Sequence, residues 1–344
     1  MKRFAFIHAR SIAEATAAAS TTVAEAMIAQ SSPSHAFILK AGGIDILDLM
    51  KEGLQPQGLI DLREVPDLDR VTDMGVSGLR LGPLLTLARL AEDPIVRERY
   101  SAVADAAGAS ASPQIRNVAT LGGNLLQRPR CWYFRSSDFH CLRKGGDHCF
   151  AIAGENQYHA LFDNQKCAIV HPSTIATALV ALGAVVELTN ARGEIRTMLL
   201  EEFLISSTTD VHRENDLQPH ELLSAVQLPL LSETTRSIHV KQGEKDSFDW
   251  PLAEVAVVLD FANDGRCRRA AVVLGAAAPV PHRASAAEAF LTETRIDEPI
   301  AREAAKLALD GAMPLAQNAY KIPLFETLTR RAILAAASRQ GRLI

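Results

Sequence analysis

The sequence predicts an α+β protein: a two-part N-terminal α/β region followed by a C-terminal antiparallel sheet with helices behind it. Three observations point there. Residues 1–60 alternate strand and helix patterns, residues 61–230 repeat that alternation on a larger scale, and from residue 235 onward period-two runs give way to helical periodicity. The chain has 344 residues, enough for two or three packed domains. The divisions read as 1–60, 61–230 and 235–344.

The elements follow in order. Ser11 is a natural N-cap for an alanine-rich helix from Ile12 to Gln30. Ala36 to Lys40 reads as a buried strand, Ala41-Gly42-Gly43 as a turn, and Ile44 to Lys51 as a helix with Ile46, Leu47, Leu49 and Met50 on its apolar side. Leu59 to Leu62 is a further short strand, which makes a small parallel βαβ layer. In the second part, Leu79 to Gly82 is strand-like, Thr86 caps a helix through Leu90, and Pro94 to Ala107 is helical. Ser173 caps Ile175 to Leu182, and Ala184 to Thr189 returns as a strand. Between these lies an aperiodic stretch, 127–168, far longer than an ordinary connection, and so expected to be either functional or disordered. In the third part, Ala253 to Phe261 and Arg268 to Ala276 alternate like antiparallel strands, and helices are predicted over 283–292, 298–311 and 321–338.

Composition excludes several classes. A formal net charge of −4 leaves no basic stripe for nucleic acid. No apolar run is long enough to span a membrane. The start, Met1 to Ile7, is basic, but His8, Arg10 and Glu14 interrupt the apolar stretch too early for a signal peptide. The expected location is cytoplasmic, or periplasmic by export alongside a partner.

Two glycine turns could cradle a phosphate. Lys40-Ala41-Gly42-Gly43-Ile44-Asp45-Ile46 joins a strand to a helix, where glycine lets main-chain amides approach an anion and the helix N-terminus adds partial positive charge. Asn117-Val118-Ala119-Thr120-Leu121-Gly122-Gly123-Asn124-Leu125 offers a second close-approach turn with amide and hydroxyl groups. Neither is a Walker loop or a G-x-G-x-x-G fingerprint, and each alone is also what plain turn chemistry produces. Together they suit a long ligand with a pyrophosphate centre.

Four of the five cysteines fall in the aperiodic stretch, spaced Cys131-x9-Cys141-x7-Cys149-x17-Cys167. Four thiolates in one loop can close a site for zinc or an iron–sulfur cluster, and four separate packed thiols are the plain reading. The short C-x2–4-C knuckles of structural zinc are missing, which favours a cluster. His140, His148, His159 and His171 lie in or beside the loop and read as surface or hydrogen-bonding groups. Cys267 stands apart and reads as packing.

Taken together, these residues resemble a known family: the FAD-binding medium subunits of molybdenum hydroxylases, which include xanthine dehydrogenase, carbon monoxide dehydrogenase and bacterial aldehyde oxidoreductases. The resemblance runs through Phe4 to Ala17, Ala41 to Lys51, Gln114 to Leu125, His171-Pro172-Ser173, and Asp249-Trp250-Pro251-Leu252-Ala253. It is strongest to the periplasmic aldehyde oxidoreductase branch, whose flavin subunit carries an extra [4Fe–4S] cluster in an inserted loop. The matching pieces are Gln127 to Phe134 and Cys167 to Pro172. The flavin subunit of hydroxybenzoyl-CoA reductase also carries such a cluster, so substrate class is not fixed by it.

The resemblance implies a vanillyl-alcohol-oxidase-like pair of α/β subdomains holding FAD, followed by an antiparallel sheet with a helical bundle. It implies that Ile38, Leu39, Lys40, Ala41, Gly42, Gly43, Ile44, Asp45 and Ile46, with Asn117, Thr120, Gly122, Gly123 and Asn124, line the pyrophosphate and ribityl chain. Lys241 falls where the family places a basic residue near the flavin. Cys131, Cys141, Cys149 and Cys167 would be the cluster ligands. A large molybdenum-cofactor subunit and a small [2Fe–2S] subunit would complete a heterotrimer or a dimer of heterotrimers. Electrons would pass from the [2Fe–2S] centres through FAD to an acceptor, with substrate oxidation in the large partner and no catalytic acid–base residue in this chain. Two departures stand out: Ile44 replaces the family's usual threonine, and Thr174 replaces its usual aspartate. Each change can remove one hydrogen bond, worth roughly 0.5–1.5 kcal/mol. The rival readings are a zinc-stapled, non-catalytic assembly module and a self-sufficient flavin oxidase.

Overall fold

Three sheets organise the chain. The computed structural model describes residues 3–28, 36–245 and 247–338. The first sheet contains β1 (Ala5–His8), β2 (Phe37–Lys40) and β3 (Gly58–Asp61), all parallel, in the order β1-β3-β2. The predicted βαβ layer is therefore present. The helix Ile44–Lys51 matches its predicted bounds and buries Ile46, Leu49 and Met50, whereas Leu47 is exposed.

The long helix expected from Ile12 is two helices. Ser11 caps the first, Ile12–Ala18, by accepting from the Glu14 N–H at 3.1 Å. The second, Val23–Ile28, opens with its own capping box: the Thr22 hydroxyl accepts from the Glu25 N–H, and the Glu25 carboxylate accepts from the Thr22 N–H. The Thr-x-x-Glu signature was visible in the sequence beneath the alanine periodicity. Gln30, the expected end, lies outside the described residues.

The second sheet contains β4 (Val71–Asp73), β5 (Leu79–Leu81), β6 (Val185–Asn190), β7 (Ile195–Leu199) and β8 (Glu221–Leu228) in the order β4-β5-β8-β6-β7. Every pairing is antiparallel. The helix predicted from Pro94 to Ala107 breaks at Tyr100 into Pro94–Arg99 and Ser101–Ala109. The break places the Tyr100 ring in the core with its hydroxyl on the Pro229 carbonyl at 2.9 Å, so one buried phenol overrides a continuous helix. The helix Thr174–Leu182, capped by Ser173, is buried at all nine positions. Its neighbours in one continuous core include residues of both the second and the third sheets. A helix apolar all round is what that sandwiched position requires.

The third sheet contains β9 (Thr235–Gln242), β10 (Ala253–Phe261), β11 (Cys267–Gly275) and β12 (His282–Arg283), antiparallel in the order β12-β11-β10-β9. The helices Ser285–Leu291, Glu298–Leu307 and Lys321–Ala337 cover its outer face. With both faces covered, β10 is buried from Ala253 to Leu259.

The stretch 127–168 holds only a 3₁₀ turn, Leu142–Lys144, and one short helix, Phe150–Ala153. Its far end is tied to the third sheet: the Leu161 and Phe162 amides share the Ala277 carbonyl, and Lys321 Nζ donates to His159 O and Ala276 O at 3.1 and 2.6 Å. Lys321 is fully buried, and burial pulls its ammonium down to about 7. A neutral amine has two N–H donors, which these two carbonyls match.

The same lysine sets a pH dependence. Unfolded, it holds its proton to about pH 10.4; folded, it releases it near 7. Between those values the unfolded chain binds more protons, so stability rises with pH; below 7 both states are protonated and the cost of the buried charge is present in full. Thermal melts from about pH 7 to 10 are expected to show this rise, and Lys321→Met to flatten it.

Candidate functional site

The carboxyl end of β2 opens into the main cleft, about 1010 Å³, which also borders the start of helix Ile44–Lys51, the segment 119–130, the segment 210–223 and the loop at 248–250. That volume is at the upper end of what small-molecule pockets span, roughly 300–1,000 Å³. Every residue from Ile38 to Ile46 lines it, as do Thr120, Gly122, Gly123, Asn124 and Lys241. Asn117 is the one candidate that does not: it is exposed, at the C-cap of the short helix Pro113–Arg116.

The two glycine turns touch. A Cβ at Gly42 would fall 2.2 Å from the Val118 carbonyl oxygen, and one at Gly122 would fall 2.9 Å from Pro83 Cβ. They do different work, however. In the first, Gly43 sits at φ 86° as an N-cap that offers no side chain, and the amides of Gly42, Gly43, Ile44 and Asp45 meet no protein acceptor among the described residues. In the second, the amides are spent: Leu121 donates to Leu85 O, Gly122 to Pro83 O, Gly123 to Thr120 Oγ1 and Asn124 to Thr120 O. The expectation of two equivalent amide cradles is therefore corrected to one. The second turn contributes a close wall and the Asn124 side chain, whose Oδ1 accepts from Ser173 Oγ at 2.6 Å and whose NH₂ has no acceptor among the described residues.

Charged groups around the cleft are mostly committed. Lys40 Nζ bonds to Ala41 O and Asp61 Oδ1. Burial pushes the Asp61 carboxyl up, but the Arg63 fork and Lys40 outweigh it and hold it below its usual value. Lys241 donates to the Ala109 and Asp249 carbonyls, and burial lowers its pKa. Ile44 is 39 % exposed in the cleft, and Thr174 is buried against it.

Several lining residues were not singled out from sequence. Ser110, Ala111 and Ser112 border the cleft, with Ala111 at φ 48° and its carbonyl held by Arg116. Arg128 and Arg130 also enter it, and the Arg130 guanidinium lies 4.9 Å from the centre of the exposed Trp250 ring. The Gln114-Ile115-Arg116-Asn117 motif and the arginines flanking Cys131 were the available signals.

The four cysteines line one enclosed pocket with Phe134, Arg143 and His159. Its free space, about 10 Å³, is close to that of one water. All four are free thiols, and burial raises Cys131 to about 11. Cys167 is pulled down by a hydrogen bond from Cys149 and by Arg143. His159 Nε2 lies 3.2 Å from Cys131 Sγ, a hydrogen-bonding role, while His140 and His148 are exposed. Among the described residues no three His, Cys, Asp or Glu side chains converge tightly enough to hold a single metal ion, so nothing here supports the zinc alternative. Among them, no helix is long and apolar enough to cross a membrane.

Residues 2–231 match the family described as the FAD binding domain in molybdopterin dehydrogenase, and residues 238–336 match the CO dehydrogenase flavoprotein C-terminal domain. The chain is 35 % identical over 324 residues to the aldehyde oxidoreductase FAD-binding subunit PaoB of Escherichia coli (strain K12), covering 93 % of this chain and 97 % of that one. It is 29 % identical to the nicotine 6-hydroxylase medium subunit of Paenarthrobacter nicotinovorans, over 87 % of this chain and 89 % of that one. The fold overlays carbon monoxide dehydrogenase from Hydrogenophaga pseudoflava with a TM-score of 0.72 at 24 % identity and 97 % coverage of each chain. It overlays quinoline 2-oxidoreductase from Pseudomonas putida 86 with a TM-score of 0.71 at 23 % identity and full coverage of both. With amides free at a glycine turn, a cleft of dinucleotide size and relatives matched along nearly the whole chain, the protein belongs to the FAD-binding medium subunits of the molybdenum hydroxylase family and is an oxidoreductase subunit.

Proposed function

We propose that this chain is the flavin electron-transfer subunit of a molybdenum-dependent aldehyde or N-heterocycle oxidoreductase. A large molybdenum-cofactor subunit and a small [2Fe–2S] subunit are its partners. Bound FAD would supply the redox chemistry, accepting electrons from the small subunit and releasing them to a terminal acceptor. The observation that carries the reading is the uncapped start of helix Ile44–Lys51, where the amides of Gly42, Gly43, Ile44 and Asp45 border the cleft without a protein acceptor among the described residues. Such a terminus is an anion site by its orphan N–H groups and its dipole. The residues fit the cofactor: the cradle would hold the diphosphate, the Asn124 amide would donate across from it, and Lys241 borders the same cleft from β9.

The cysteine pocket extends the proposal. Its donor set, four thiols beside a buried guanidinium and with no carboxylate among the lining residues, fits a [4Fe–4S] cluster by chemistry. Cys131, Cys141, Cys149 and Cys167 would hold it. Arg143 would offset the negative charge of the ligating sulfurs, and His159 would donate to Cys131.

Purification of the intact complex with flavin and iron analysis tests both parts. One FAD per chain is expected, with about four iron atoms beyond those of the partner's [2Fe–2S] centres; a complex without flavin would sink the proposal. Gly43→Ala places a side chain at φ 86° beside Lys40 Cε, with an expected strain of roughly 1–2 kcal/mol and loss of most FAD on gel filtration. Gly53→Ala is the control. It is strained likewise at φ 109° but meets nothing within 4 Å, and it should keep its flavin. Cys167→Ser is expected to remove about four iron atoms per chain while leaving those of the partner's [2Fe–2S] centres, read by chemical iron assay and EPR.

A further inference from the structure

Two side-chain networks join the cleft to the cysteine pocket, the first of them starting from Asp45, whose amide is part of the cradle. In the first, Asp45 and Asp48, one turn apart on helix Ile44–Lys51, face Arg130 and Arg135 from the start of the cysteine loop. Arg135 reaches Asp45 Oδ1 at 2.7 Å and Asp48 Oδ2 at 3.1 Å; Arg130 reaches the same two atoms at 2.7 and 3.2 Å. The Arg128 main-chain N–H adds a bond to Asp45 Oδ2 at 2.9 Å. Arg135 also ties its own loop by donating to the Pro129 and Arg128 carbonyls. In the second network, Arg128 and Arg143 share Glu214, at 2.9 and 2.5 Å, with all three side chains almost fully buried. Arg128 and Glu214 line the cleft; Arg143 lines the cysteine pocket.

Charge makes the first network more than a staple. Asp45 puts a carboxylate in the first turn of the helix whose N-terminus would receive a diphosphate. Unpaired, it would repel that anion, while the two guanidinium forks offset the charge of both Asp45 and Asp48. The arginines that do this come from the loop carrying Cys131, so the cleft is complete only when that loop is docked.

We propose that the Arg130/Arg135–Asp45/Asp48 clamp couples the two sites: docking of the cysteine loop raises FAD affinity, and FAD binding in turn orders the loop, as linkage requires. Arg135 is the positioning residue, because it spans both carboxylates without lining the cleft. The proposal rests on the FAD reading above.

Hydrogen exchange of segment 131–149 in the full-length protein, FAD-stripped against FAD-saturated, tests it; none of those residues lines the cleft. In the wild type, FAD is expected to slow exchange there by about tenfold, within the usual range of coupling. Arg135→Met is expected to abolish that protection and raise the FAD Kd by about tenfold. Arg135→Lys keeps the charge but lacks the fork, and should lose most of the coupling. Should Arg135→Met fail to fold, Asp48→Asn decides, since it leaves Arg135 on Asp45; it is expected to weaken the FAD-dependent protection with an unchanged melting profile. Wild-type protein that binds FAD with no change in exchange at 131–149 overturns the proposal, as do variants that keep the full effect. A wild type that takes up no FAD sinks the cofactor reading itself, and the linkage with it.

Discussion

Helix Ile44–Lys51 begins with glycine at φ 86° and no capping side chain, and the surrounding architecture is arranged around that start. A helix opened by serine, threonine or aspartate would satisfy one of its own first-turn amides and leave fewer to offer an anion. Here the orphan donors border a cleft and meet no acceptor among the described residues, so they are open to water or a ligand. The turn can take this form because Gly42 lets the Val118 carbonyl approach to where a Cβ would sit. That contact also brings the two glycine segments to one place, although Gly42 and Val118 are far apart in sequence.

The second turn shows how a similar sequence can serve a different end. Leu121 to Leu125 is a short helix with a hydroxyl cap on Thr120, and its amides close onto Pro83, Leu85 and Thr120. Its glycines are selected by lack of room: Gly122 lies against Pro83. One turn donates and the other presses. A diphosphate gains from both, since fixed donors recognise charge while a wall without side chains allows close approach. Sequence alone could not divide the labour, because the Gly-Gly pair is the same in each and the difference lies in which carbonyls the tertiary fold brings within reach.

Much of the fold was legible because local signals agreed with it. Ser11, Thr86 and Ser173 cap the helices they were expected to cap, and the period-two runs at 253–261 and 268–276 are the central strands β10 and β11. The breaks were harder. The capping box Thr22–Glu25 was local and could have been read, whereas the break at Tyr100 depends on a distant acceptor, Pro229 O, that no local pattern announces. The strands β4, β7, β8, β9 and β12 were also missed. The edge strand β7 alternates between exposed and half-buried positions, so its hydrophobic contrast is weak. At the site, the glycine segments and cysteines stood out by composition. The arginines Arg128, Arg130 and Arg135 did not, since a charge in a loop is ordinarily a solvated one and only the folded chain places Asp45 and Asp48 opposite them.

Buried and half-buried polar side chains recur where the cysteine loop meets the rest of the molecule. Arg128, Arg143 and Glu214 anchor one side, the Asp45/Asp48 clamp a second, and Lys321 the third. An aperiodic stretch of this length cannot bury its own apolar surface as a helix or strand would, and hydrophobic contact is a poor guide to register in such a segment. Directional, desolvated polar contacts specify a single docked position, because a shifted register would strand a buried guanidinium or ammonium at a cost of several kcal/mol. The same contacts make the loop sensitive to its neighbours: the carboxylates that hold it in place sit on the helix that would receive the cofactor diphosphate, so its docking cannot be independent of what the cleft contains.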